Sequence, residues 1–113
     1  MEDVFSGFDA LDREYLVGRM AEELSEIREK LGVSTELLAK KIGMEKYDLE
    51  QAETGKRSLK WSEYMSLLFV IWNNDIGRGI VESKGLFPDA LKKAMSVNRN
   101  VHAPLTESAK YGF

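Results

Sequence analysis

At 113 residues the chain has the length of one domain with a real core and not of two. Apolar residues make up 43%, charged residues 31%, and there are only two prolines and no cysteine, so a folded body is expected while a disulfide framework and a thiolate metal site are excluded. The net charge of −3 weighs against a strong non-specific grip on nucleic acid, which depends on neutralised phosphates. Its distribution is uneven: nine acids against four bases leave −5 over residues 1–32, whereas residues 33–60 and 61–113 each carry five acids and six bases, +1 apiece.

Residues 1–11 read as an N-terminal arm. They place Phe5, Gly7 and Phe8 among acids and lack the basic start and apolar stretch of a signal peptide. Asp9 or Asp12 is suited to cap the first helix. From there Leu16, Met20, Leu24, Ile27 and Leu31 recur at three- and four-residue steps, one face of an amphipathic helix. The charged residues between them, Glu22, Glu23, Glu26, Arg28, Glu29 and Lys30, read as its solvated face.

Ser34 is an N-cap for a second helix over residues 35–42, with Leu37, Leu38 and Ile42 as buried positions and Ala39 as the small residue that admits a close neighbour. Gly43 falls where the chain must turn, since a left-handed backbone costs least at glycine. A third helix follows over residues 45–54, with Met44 and Leu49 inward, Lys46, Tyr47, Glu50 and Gln51 outward, and Gly55 as its stop. Two short helices joined this way form a helix-turn-helix, whose second helix enters the DNA major groove.

Residues 60–73 place Trp61, Tyr64, Leu67, Leu68 and Ile71 at helical spacing, the tryptophans serving as packing groups. The longest apolar run, residues 65–72 broken by Ser66, is far too short to span a bilayer, so a soluble, cytoplasmic protein without a membrane partner is expected. Asn73-Asn74-Asp75 reads as a cap before a short helix weakened by Gly77 and Gly79, closed by Gly85. Pro88 then stands at the first turn of a helix over residues 88–97. The apolar residues of this half, among them Phe69, Ile76, Ile80, Val81, Leu86 and Leu91, either complete the core or form a dimer face. Residues 98–113 show no periodicity and read as a flexible tail.

The residues Leu31-Gly32, Leu38-Ala39, Ile42-Gly43, Leu49 and Glu53-x-Gly55-Lys56-Arg57 resemble those of the Cro/XRE helix-turn-helix family, which includes the phage repressors. The resemblance covers roughly residues 19–72. It implies an all-α, compact bundle of the lambda-repressor-like type. The helix-turn-helix domain would span residues 12–73, followed by a C-terminal extension over 74–97 that serves as a possible dimer face. The function implied is a sequence-specific DNA-binding transcriptional regulator, a homodimer on a palindromic operator, acting without a cofactor. Carried over position by position, Lys46, Tyr47, Glu50 and Gln51 would contact bases, and Thr35, Thr54, Lys56, Arg57 and Lys60 would contact phosphates. The chain departs from the family pattern at Thr35 and Leu37, where glutamine and glutamate are usual, and at Glu45, where serine or threonine is usual. The third helix also carries Glu45, Asp48, Glu50 and Glu53 against the single cation Lys46; the resemblance implies a structural place for Glu53 against the turn, and the other three would face DNA, which repels negative charge.

That acidity gives the alternative reading, a protein-interaction module on the same fold, antitoxin-like or regulator-binding. Catalysis is not expected. His102 is the only histidine and there is no cysteine, so neither an imidazole pair nor a histidine–thiolate metal site is available. The segment IGRGI at residues 76–80 lacks the spacing and lysine of a phosphate loop.

Overall fold

A computed structural model describes residues 8–97, which form six helices and no strand. Residues 1–7 of the expected arm and the expected tail at 98–113, His102 included, lie outside the described residues. The helix α1 (Ala10–Leu31) opens on a reciprocal cap. Asp9 accepts from the backbone N–H groups of Leu11 at 3.0 Å and Asp12 at 3.2 Å, and Asp12 accepts from Asp9 N–H at 2.8 Å. Both candidate caps are therefore used, satisfying donors that a helix start leaves without partners. Leu16, Met20, Leu24 and Ile27 form the buried face of α1, which ends at Gly32 in the left-handed region.

The next two helices, α2 (Thr35–Ile42) and α3 (Lys46–Glu53), are joined by residues 43–45. Ser34 caps α2 by accepting from Leu37 N–H at 3.0 Å. Gly43, at φ +76°, reverses the chain, and Met44 N–H closes the turn on the Ala39 carbonyl at 2.9 Å. One expectation fails here: Leu37 is 43% exposed, while Leu38 and Ala39 are buried and Ile42 packs at the core edge. Residues 38, 39 and 42 centre one side of the helix, and at about 100° per residue position 37 lies on the far side of that arc.

The remaining helices are α4 (Trp61–Trp72), α5 (Asp75–Ser83) and α6 (Asp89–Ala94). Tyr64, Leu67, Leu68 and Ile71 of α4 are buried, and α4 packs against α1, α2 and α5. Asn74 caps α5 by accepting from Gly77 N–H at 2.9 Å. Gly77 is required by the packing, because a Cβ at that position would collide with the Ile71 carbonyl oxygen at the end of α4. The glycine that weakens the helix is the one that lets it start this close to its neighbour. Pro88 is the N-cap of α6, which ends at Ala94 and not at residue 97. Met95 and Val97 are exposed, so continuing the helix would bury no apolar surface.

One cluster holds Leu16, Met20, Leu24 and Ile27 of α1 together with Leu38, Leu49, Leu67 and Ile71 of the middle helices and Ile80, Val81, Leu86 and Leu91 of the C-terminal half. The apolar excess of that half thus divides: these four complete the core, whereas Phe69, Ile76 and Met95 are exposed. The Tyr64 hydroxyl donates to the Leu86 carbonyl inside the core, and burial pushes its pKa up. Not all of the charged run on α1 is solvated. Lys84, just after α5, reaches Glu23 at 2.6 Å and Glu26 at 3.4 Å, and Arg19 donates to the Lys84 carbonyl at 2.8 Å. Among the described residues no helix is long and apolar enough to cross a membrane.

Candidate functional site

Helix α3 is short and divided by its own periodicity. Leu49 and Ala52 are fully buried, which turns Lys46, Tyr47 and Glu50 outward and leaves Asp48 and Gln51 half-buried at the flanks. Tyr47 is 66% exposed. Lys46 and Glu50 lie one turn apart and approach to 3.8 Å, with their side chains 56% and 47% exposed. The N-terminus is weakly closed: Glu45 is in the N-cap position and its side chain makes no capping hydrogen bond. The C-terminus is closed by Thr54, whose hydroxyl donates to the Glu50 carbonyl at 3.0 Å and the Gln51 carbonyl at 3.3 Å. Lys56 N–H adds a bond to the Gln51 carbonyl at 2.8 Å, made possible by Gly55 at φ +79°.

An ion pair fixes the helix from behind. Arg28 of α1 donates to both oxygens of Glu53, at 2.6 and 2.9 Å, and to the Val33 carbonyl at 3.3 Å. The hydrogen bonds it donates to Glu53 raise the Arg28 pKa. One guanidinium thereby ties together the end of α1, the α1–α2 turn and the end of α3, with the two-pronged geometry that favours arginine over lysine. Arg28 belonged to the run read as a solvated face. Charge and periodicity carry no sign of its role, because the partner stands 25 positions away.

A second pair organises the loop between α3 and α4. Arg57 donates to the two oxygens of Glu63, both at 3.0 Å, and to the Ser58 carbonyl at 3.0 Å. Glu63 also accepts from Lys60 N–H at 2.8 Å at the start of α4. Its carboxyl is held below its ordinary pKa, chiefly by the hydrogen bonds from Arg57. Arg57, named from the sequence as a phosphate ligand, therefore has structural employment within the loop. Lys56 and Lys60 stand exposed beside it, and Thr35 is half-buried at the first residue of α2.

The structure thus brings Lys46, Tyr47, Glu50 and Gln51 onto one helix, with Thr54, Lys56, Arg57 and Lys60 following within seven residues of its end. It also accounts for the acids of α3: Glu53 is paired with Arg28, Glu50 with Lys46, and the charge of Asp48 acts on Arg57. The chain matches no family model, no curated protein and no solved structure.

Proposed function

We propose that the chain is a sequence-specific binder of double-stranded DNA with a lambda-repressor-like helix-turn-helix, acting as a homodimeric transcriptional regulator. The observation that carries this reading is the mounting of α3. Its inner side is locked by Leu49, Ala52 and the Glu53–Arg28 pair, while Lys46, Tyr47 and Glu50 are presented outward with Gln51 at their edge, half-buried. A rigid short helix with polar side chains standing clear of the body is what reading base edges requires. Lys56 and Lys60 sit where exposed cations would meet phosphates, and the Thr35 end of α2 offers backbone N–H groups to a phosphate. The Arg57 guanidinium is engaged internally, so its phosphate role would be secondary to ordering the loop.

Dimerisation is supported by the apolar surface on α2 and α4. Phe69 is 70% exposed beside Leu37, Val33 and Val70, which line a cavity of about 360 Å³. Apolar groups gathered on one exposed face mark an interaction surface more often than accident. The same surface supports the second reading, a protein-interaction module on this fold.

A random-sequence DNA selection with the purified protein, at low and at physiological salt, tests the choice. A palindromic motif at both salt concentrations is the expected result, with half-site spacing near one helical turn or a multiple of it. A folded protein that selects nothing would transfer the assignment to the interaction module.

A further inference from the structure

We infer that Lys46 and Glu50 act as one unit that reads a single G·C base pair, the ammonium on guanine and the carboxylate on the cytosine amino group. The inference rests on the DNA-binding reading and makes it specific. Of the groups on the outward side of α3, only these two are paired with each other across one turn, and both remain about half exposed. A surface pair of this kind contributes little to stability. Its groups keep their full capacity: an ammonium has three donors and a carboxylate two acceptor oxygens, and the contact at 3.8 Å between Lys46 Nζ and Glu50 Oε2 is an ion pair too long to occupy any of them as a hydrogen bond.

The major-groove edge of a G·C pair displays the complement. Guanine offers N7 and O6 as acceptors and cytosine offers its N4 amino donor. O6 and N4 are hydrogen-bonded to each other in the pair, hence about 2.9 Å apart. A donor and an acceptor side by side on the protein meet an acceptor and a donor side by side on the base pair. An A·T pair also sets a donor beside an acceptor, but its thymine acceptor stands next to a methyl group, whereas guanine presents two adjacent acceptors to one ammonium. The pair also explains how a glutamate is tolerated on a surface facing a polyanion. Alone it would be repelled, and beside Lys46 the unit is neutral.

The test is a random-sequence DNA selection with the wild-type chain, Lys46→Gln, Glu50→Gln and the charge-swapped double variant Lys46→Glu/Glu50→Lys, with thermal melts to show that all four fold. The expected result is a wild-type motif containing one G·C position at which both single variants lose about tenfold in preference. The swapped variant should prefer that pair inverted, because donor and acceptor have exchanged places along the helix. A wild-type motif in which the two single variants alter different base pairs, or none, overturns the inference and leaves DNA binding standing. A folded wild-type protein that selects no motif overturns both.

Discussion

Helices α3 and α4 solve opposite problems with the same backbone. Helix α4 has twelve residues, most of them apolar, with Tyr64, Leu67, Leu68 and Ile71 buried, and it touches α1, α2 and α5. Helix α3 has eight residues, only two of them fully buried, and its hold on the body is completed by a charged pair. A helix that joins neighbours on several sides is secured by area. One that leaves a face uncovered has less area to give, and a directional bond makes up the difference. An isolated eight-residue helix would not persist in water, so the order of α3 depends on that mounting.

The largest effect should come from the helix secured by area. Ile71→Ala removes a fully buried side chain from the contact between α4 and α5 and should destabilise the fold by about 2–5 kcal/mol in urea unfolding. A loss below 1 kcal/mol would mean that α4 is not the central support. Gly77→Ala should come next, because its Cβ meets the rigid carbonyl of Ile71. A lowered melting temperature is expected, although alanine is the better helix former by about 1 kcal/mol. Glu53→Ala leaves the half-buried Arg28 guanidinium without its carboxylate and should cost about 2 kcal/mol, with amide exchange in α3 accelerating more than in α4. Equal acceleration in both helices would mean that the charged pair does not secure α3 in particular.

Acid should act through the paired carboxylates. Glu63 and Glu23 both have folded-state pKa values below the ordinary 4.5, through hydrogen bonds from Arg57 and Lys84 respectively. Their contribution is fully present above pH 4.5 and is lost as the pH falls through the lowered values. The melting temperature should therefore drop on acidification below pH 4.5, and Glu63→Gln should flatten that drop. The smallest effects on stability belong to the outward face. Gln51→Ala and Lys56→Ala should each change unfolding free energy by less than about 0.5 kcal/mol. In DNA binding they should separate, Gln51→Ala relaxing preference at one position and Lys56→Ala weakening all sequences alike with a salt slope reduced by about one.

The helices were legible because their signals are local. Ser34 and Asn74 are capping side chains, Gly43 and Gly55 stand in the left-handed region, and the spacing of Leu16, Met20, Leu24 and Ile27 needs no knowledge of the rest of the chain. The inward and outward sides of α3 followed from Leu49 in the same way. What escaped is non-local. Arg28, Glu63 and Lys84 look like ordinary surface charges until partners 25, 6 and 61 positions away are brought beside them. Leu37 misled for a different reason: apolar identity suggested burial, and the helical phase set by residues 38, 39 and 42 put it on the other side. Gly77 reads from the sequence as a weak point and from the packing as a requirement, because the colliding oxygen belongs to another helix.

The placement of the two tryptophans has a practical consequence. Trp61 opens α4, stacked on Tyr64 with ring centres 4.9 Å apart, and Trp72 closes it, edge-on to Phe87 at 5.1 Å. At 1.5 Å per residue their backbone positions stand about 17 Å apart along the axis, and each indole has a different aromatic and cationic surrounding. Arg13 lies over the first, and Arg78 and Lys92 over the second. The chain therefore carries one natural fluorophore at the junction with α1 and another at the junction with α5 and α6. Replacing either with phenylalanine leaves a single tryptophan, which can be excited apart from the four tyrosines, so that the two ends of the central helix can be timed separately as the protein folds.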